Sequence, residues 1–187
     1  MRGDRSNALL WDLALPSNHV MKTDLAVVMR DKFPKFQFHY LVLPWEDIDN
    51  QYQLQPRHIP LLEEMRRLAL ATVKRVASKQ CPEDRFMMGF HMKPTKRRLH
   101  LHCFSQDYVS GLMKSADHWN GFMTGYLMSV DDIIRELQET GCVRRRSESV
   151  IAEHVRTPLK CNQCNFQPAY MSLLKQHLQT EHQRYSK

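Results

Sequence analysis

The apolar positions of this chain fall into short continuous runs and one long run at helical spacing. Leu25–Met29 and Phe36–Leu43 are apolar, β-branched or aromatic, and Asp31-Lys-Phe-Pro-Lys35 between them carries a turn-favouring proline, so two adjacent strands are expected. Pro60 stands where a helix would begin. Leu61, Met65, Leu68, Thr72 and Val76 then recur at spacings of three and four, with Glu63 and Glu64 early and Lys74 and Arg75 late. That pattern predicts an amphipathic helix of about five turns whose charges match the helix dipole. Phe86–Met92 and Leu99–Ser105 read as further strands around the loop Pro94–Arg98, and Asp131–Gln138 as a second helix closed by Gly141. Trp11 and Leu15 fall on an N-terminal helical segment. The sum is an α+β domain: a mostly antiparallel sheet with helices packed on one side.

At 187 residues, with 42% hydrophobic and 25% charged content, the chain can bury one core and carry a small appendage. No apolar run is long enough to span a bilayer, so no membrane partner is expected. The start, Met1-Arg-Gly-Asp-Arg-Ser6, lacks the apolar stretch of a signal peptide, which points to an intracellular protein. Five cysteines, two of them in metal-ligand spacing and Cys81, Cys103 and Cys142 scattered, do not form a disulfide framework; a reducing compartment, cytosol or nucleus, fits. The net charge of +7 is uneven. Residues 143–187 hold eight Lys/Arg against three Asp/Glu, whereas 1–142 hold 19 against 17. A basic tail suits phosphate binding, and equally a merely soluble surface.

The tail also carries Cys161-x2-Cys164-x12-His177-x4-His182. This spacing puts two thiolates on a tight turn and two imidazoles on successive helical turns, enough for a tetrahedral Zn²⁺. Leu173, Leu174 and Leu178 support the helix, and Phe166 is placed to fill the miniature core in place of the aromatic expected at Pro168. So small a unit needs the metal to fold, which makes the zinc structural. Lys160, Lys175, Gln176 and Gln179 can reach phosphate or bases, although single fingers also pack on neighbouring domains or bind protein. Arg144-Arg-Arg-Ser-Glu-Ser149 has no apolar face and reads as a linker or a phosphate-facing loop. The expected division is therefore 1–142 for the α+β domain, 143–158 for a basic linker and 159–187 for the finger.

In a strand over 99–105, His100 and His102 share one face while Leu99, Leu101 and Cys103 point to the other. A neutral imidazole is a good nucleophile toward phosphorus, and a second one nearby can donate to a phosphoryl oxygen. A half-exposed strand with polar histidines on its outer face is the competing account of so short a pattern.

Arg98-Leu-His100-Leu-His102-Cys-Phe104 resembles the His-φ-His-φ-His-φ-φ signature of the histidine-triad (HIT) superfamily, φ being apolar. The resemblance implies His100 as nucleophile on the α-phosphate of a nucleotide and His102 as phosphate-binding histidine. Arg98 replaces the first histidine, which in the superfamily orients the nucleophile; a guanidinium cannot accept a proton, so Arg98 either supplies charge or has ceded the role. Asp31-Lys-Phe-Pro-Lys35, His39-Tyr-Leu-Val-Leu-Pro-Trp45, Gly89-Phe-His91, His100–Asp107, His118-Trp-Asn120 and the finger are similar, in order, to the aprataxin family, DNA 5′-adenylate hydrolases of strand-break repair. The resemblance runs from about residue 11 to the end. It implies a HIT-like antiparallel sheet, a nuclear DNA-repair enzyme, a covalent AMP–histidine intermediate and no catalytic metal. His91 becomes a general acid at the leaving phosphate, with Thr95, where the family usually has Ser, donating to the same group. Asp31 becomes a ribose ligand, Lys35 and His39 line the nucleotide pocket, and Leu15 touches adenine. Trp11, with Lys96, Lys114, Lys160 and Lys175, becomes DNA-binding, and Trp11 in particular wedges against a base stack. Ser105, His118 and Trp119 match a stretch where phosphate contacts and fold-stabilising interactions mix. The implied partners are nicked or broken duplex DNA with a 5′-adenylate, RNA–DNA junctions, and AMP as product. A general hydrolase of small phosphoramidates or dinucleoside polyphosphates, and a non-catalytic nucleic-acid-binding protein, stand as alternatives.

Overall fold

The computed structural model describes residues 7–77, 79–106 and 109–182; Met1–Ser6, Asp107 of the fourth motif and residues 183–187 of the expected finger lie outside it. The strands are β1 (His19–Lys22), β2 (Ala26–Arg30), β3 (His39–Pro44), β4 (Phe86–His91), β5 (Leu101–Ser105) and β6 (Leu127–Ser129). They form one antiparallel sheet in the order β1-β2-β3-β5-β4-β6. The helices are α1 (Ala8–Leu13), α2 (Ile59–Val76), α3 (Ala116–Met123), α4 (Val130–Thr140), α5 (Glu148–Arg156) and α6 (Met171–His177).

The central strands are continuous apolar runs because both of their faces are covered. Ala26, Val28, Tyr40, Val42, Leu101 and Cys103 pack with Leu62, Met65 and Leu68 of α2 and Ile133 and Leu137 of α4. On the other face Val27, Met29, Leu41 and Leu43 pack with Leu9 of α1. Phe104 packs there with Trp119 and Phe122 of α3. Helices thus lie on both sides of the sheet, not on one. Phe36 and Phe38 precede β3, and Phe36 makes only an isolated bridge to Val109. α4 ends at Gly141, whose φ of 76° is left-handed, as its sequence position predicts.

Residues 143–158, expected as a basic linker, contain α5. Ser147 caps the helix by accepting the Val150 N–H. Arg146 pairs with Glu136 through two bonds of 3.0 and 2.8 Å, so it is spent on α4. Beyond α5 the finger does not stand apart. Leu159, Met171, Leu174 and Leu178 share a core with Phe36, Phe104, Trp119 and Phe122. Trp119 Nε1 donates to Lys160 O at 3.0 Å, and Asn120 Nδ2 donates to Val155 O at 2.9 Å and Thr157 O at 2.7 Å.

Asn120 is 1% exposed, so its loss strands two carbonyls. Asn120→Ala is expected to cost ~2–4 kcal/mol of stability, read by chemical denaturation. A cost near zero would mean that α5 and the finger are held by other contacts.

Candidate active site

Antiparallel register sets the histidines together. Gly89 of β4 and Leu41 of β3 lie opposite His102, and His39 lies opposite Phe104, so His39 and His102 reach the same face as His100 just before β5 and His91 at the end of β4. Ring centroids lie 4.4 Å apart for His91–His102, 5.0 Å for His100–His102 and 5.3 Å for His39–His102. Phe122 presents its ring at steep angles to His39, His91 and His102 and forms the floor. Gly89 is required by the strand beside it: a Cβ there would meet Met128 O at 2.6 Å.

Backbone groups decide which nitrogen carries each proton. The Lys35 N–H can only donate, and it does so to His39 Nδ1 at 3.1 Å. A neutral His39 therefore holds its proton on Nε2, 3.0 Å from His102 Nδ1. His102 accepts there and keeps its own proton on Nε2, a buried atom with no protein partner. At His100 the logic inverts: Nδ1 lies 2.7 Å from Arg98 O, a carbonyl that only accepts, so Nδ1 is protonated and Nε2 keeps its lone pair. The array thus offers one nucleophilic nitrogen beside one N–H donor. Asp31, His39 and His102 also bring three donor atoms within 4.8 Å, but the proton on His39 Nε2 suits a hydrogen-bond chain rather than a cation.

Arg98 does its work through its backbone. Its φ of 91° makes it the sole positive-φ non-glycine among the described residues, a strained state for an L-residue. The guanidinium holds that state by donating to Asp47 Oδ1 at 2.8 Å and Trp45 O at 2.6 Å. Leu99 N–H adds a bond to Ile48 O at 2.7 Å. The side chain is turned toward the 44–47 turn and does not line the histidine cavity; of the two alternatives left open for Arg98, supplying charge or having ceded the role, this placement favours the second.

That cavity, of about 560 Å³, is lined by His91, His100, His102, Lys35, Thr95 and Lys96 from the expected set, together with His118. It abuts a second cavity of about 480 Å³ under Leu15; Leu9, Asp31, Leu41 and Lys96 line both. The Asp31 carboxylate accepts from Phe33 N–H at 2.8 Å and lies 3.6 Å from His39 Nε2. Trp11 is 61% exposed on α1 and lines neither cavity. Ser105 is buried, its hydroxyl accepting the Phe38 N–H, and Trp119 is core. Lys160 is exposed, whereas Lys175, expected at the DNA surface, donates to Ser110 O at 3.2 Å. Phe33, Lys93, Asp117, Phe122 and Tyr126 line the histidine cavity unforeseen. Phe33 lay inside a recognised motif; Tyr126 and Phe122 had no signal beyond their apolar character.

In the finger, the ligand atoms of Cys161, Cys164, His177 and His182 lie within 4.8 Å of one another. Cys164 Sγ and His182 Nε2 are each 3.2 Å from His177 Nε2. Two sulfurs and two nitrogens at such separations fit a tetrahedral Zn²⁺. Phe166 stacks on His177, centroids 4.2 Å apart, but is 39% exposed and does not fill the miniature core as expected; Leu174 and Leu178 do.

The model of the family described as "Scavenger mRNA decapping enzyme C-term binding" matches residues 9–118, and that of the "C2HE / C2H2 / C2HC zinc-binding finger" matches 123–184. The aprataxin of Danio rerio is 35% identical over 95% of this chain, and an aprataxin-like protein of Drosophila melanogaster is 39% identical over 92%. The chain belongs to the first of these families, and aprataxins are among its similar relatives. It spans 54% of the Danio relative and 26% of the Drosophila one. Its fold is that of the aprataxin ortholog Hnt3 of Schizosaccharomyces pombe, solved in complex with DNA: TM-score 0.73, 22% identity, 97% of this chain and 96% of that one.

The histidine array is uncharged at neutral pH. Burial pushes His39 down to about 4, against a counter-effect of Asp31, and pushes His91 down to about 3 with help from His100 and His39. Burial likewise lowers His100, and lowers His102 well below the ordinary imidazole value. Lys35 is lowered by burial and by Lys114 and Lys96, which mark a concentration of cations at the rim. Unfolded, the imidazoles take up protons from about pH 6.5 downward; folded His39 waits until about 4. Over that interval the unfolded chain binds more protons, so stability is full above pH 6.5 and is lost as pH falls toward 4. Thermal melts should show a Tm flat above pH 7 and declining below 6.5, and NMR should show His39 titrating near 4. A His39 titration near 6.5 would contradict the buried neutral array.

Proposed function

We propose that this chain is a DNA-repair hydrolase that removes AMP from 5′-adenylated DNA ends and nicks. The observation that carries the reading is the fixed tautomer of His100, which leaves Nε2 unprotonated in a cavity rimmed by cations and joined to a second cavity of nucleoside size. The aprataxin relatives support the substrate class.

His100 Nε2 attacks the α-phosphorus of the 5′–5′ AMP–DNA pyrophosphate. The bond from that phosphorus to the bridging oxygen breaks, and the DNA leaves with a 5′-phosphate. The new imidazole–AMP linkage holds its positive charge with Nδ1–H on Arg98 O. Water then attacks the same phosphorus and releases a proton to bulk solvent; the P–N bond breaks with its electron pair returning to Nε2, and AMP departs. His102 Nε2–H donates to a non-bridging oxygen as charge builds, and the tautomer of His102 is secured by His39. His91 and Thr95 serve the leaving phosphate; neutral His91 does so as an N–H donor until an anionic substrate raises its basicity. Asp31 holds the ribose, Leu15 and Leu9 the adenine, and Lys35, Lys96 and Lys114 the phosphates. Trp11 and Lys160 meet the duplex. Cys161, Cys164, His177 and His182 hold a structural Zn²⁺, which ties α6 to the thiolate turn. The protein works in the nucleus, and RNA–DNA junctions are further substrates.

One observation favours a second reading, a general hydrolase of small nucleotides. Lys175 and the apolar face of α6 are used to dock the finger, so the finger has a structural use without DNA. AMP release from a nicked, 5′-adenylated duplex, compared with a small adenosine phosphoramidate, separates the two. Rapid release from the nick is expected, and activity on the small compound alone would replace the reading. His100→Ala should lower kcat by at least about 10⁴-fold while leaving DNA affinity within about twofold; a near-normal rate would remove His100 as nucleophile. Chelation of zinc should lower both Tm and DNA affinity, and no change in either would sink the finger assignment.

A further inference from the structure

We propose that Ser147 is a phosphorylation site for a serine kinase with an acidic substrate groove, and that the phosphate draws Lys93 away from the histidine cavity; the second half rests on the function just given. Ser147 follows Arg144-Arg145-Arg146, a basic run to which the proposed chemistry gives no task. Residues 143–147 join α4 to α5 outside any helix or strand, and Ser147 is itself extended, with φ −66° and ψ 155°. Arg144, Arg145 and Ser147 are exposed. Arg145 rests its guanidinium 4.6 Å from the Tyr52 ring centroid, which leaves the N–H donors at its edge unspent. Arg144 gives its backbone N–H to Glu136 and its carbonyl to Arg146, and among the described residues its guanidinium donates no hydrogen bond. Two guanidiniums, three and two residues ahead of an exposed hydroxyl on irregular chain, are what a groove lined with carboxylates can hold while the hydroxyl reaches ATP.

The fold selects Ser147 over its neighbour. Ser149 also has an arginine three residues ahead, but Arg146 is bound to both carboxylate oxygens of Glu136, and Ser149 lies within the first turn of α5. Ser147 precedes the helix and caps it by accepting the Val150 N–H at 3.3 Å. This end of α5 can open, because the helix has no buried residue and the Asn120 bonds that hold it to α3 lie at its far end. In the transfer, Ser147 Oγ attacks the γ-phosphorus of ATP. The bond to the β–γ bridging oxygen breaks with its electron pair going to ADP, and the hydroxyl proton passes to the kinase's catalytic carboxylate. The product carries about −2 charge next to Glu148, whose carboxylate oxygens already hold Lys93 Nζ at 2.9 Å. Lys93 lines both the histidine cavity and a recess of about 220 Å³ that it shares with Arg145 and Glu148. Negative charge added on the recess side competes with a nucleic-acid phosphate for this cation.

The test incubates the full chain with ATP, Mg²⁺ and the catalytic domain of an arginine-directed serine kinase, and maps the product by mass spectrometry. Wild type and Ser149→Ala should take up phosphate on Ser147. Ser147→Asn keeps a helix cap but has no hydroxyl, so its uptake should vanish without loss of the fold. The double variant Arg144→Gln/Arg145→Gln should be phosphorylated at least about tenfold more slowly. No uptake by the wild type, phosphate on Ser149 instead, undiminished uptake by Ser147→Asn, or an unchanged rate in the double variant would each overturn the site. On the nicked, 5′-adenylated duplex the phosphorylated chain should bind ~2–5-fold more weakly than the unmodified chain at low salt, and the gap should close as salt rises. Kinase-treated Ser147→Asn should bind as before treatment. Equal affinity of the two wild-type forms at low salt would overturn the link through Lys93. Absence of AMP release from DNA by the unmodified chain would remove the proposed function and leave the mapped phosphorylation standing, which distinguishes that failure from the others.

Discussion

A backbone amide orients the site. The Lys35 N–H has no choice but to donate, and the proton position of His39, then of His102, follows from it. A carbonyl at Arg98 imposes the complementary choice on His100. Because both anchors are main-chain groups, the two remaining nitrogens, the His100 Nε2 lone pair and the His102 Nε2–H, are set by the fold before any ligand arrives. Burial reinforces the arrangement: with His39 and His91 held near 4 and 3, the histidines do not repel one another as imidazolium ions at neutral pH.

This arrangement explains how an arginine can stand at the first position of the triad. The element that touches His100 is the carbonyl, which every residue possesses. What the position must supply is the strained φ of 91°, and the Arg98 guanidinium supplies it by clamping the 44–47 turn through Trp45 O and Asp47. A residue with a long, forked donor can do so where a histidine would do it differently. The charge of Arg98 is thereby consumed in the scaffold.

Legibility from sequence varied with how local the cause was. The long run from Pro60 and the continuous apolar strands were readable because periodicity and burial on both faces leave direct marks, and Gly141 announced its left-handed cap. β1 and β6, of four and three residues, were not readable: their existence depends on pairing with β2 and β4 rather than on their own composition. α3 and α5 were missed for the same reason, since each is short and derives its order from Ser caps and from the other. Among candidate site residues on the motif-bearing strands, His91 and His102 line one cavity, whereas His39 lies buried behind His102 and lines neither. Lys175 departs because a charged residue on a helix looks solvent-facing in sequence, and only docking of the finger reveals the Ser110 carbonyl beside it.

The docked finger changes what a zinc ligand set means for the chemistry. Leu174 and Leu178 share a core with Trp119 and Phe122, and Phe122 is the ring against which His39, His91 and His102 all rest. The apolar packing runs from the thiolate turn to the histidine cluster, and directional ties such as Trp119 Nε1 on Lys160 O and Lys175 Nζ on Ser110 O fasten it. A close-packed interior transmits displacement instead of absorbing it. The finger thus backs the helix α3, whose Asp117, His118, Gly121 and Phe122 line the histidine cavity. The tail that carries the Cys2His2 cluster thereby completes the cover of the sheet's second face, and the same packing supports the histidine cavity.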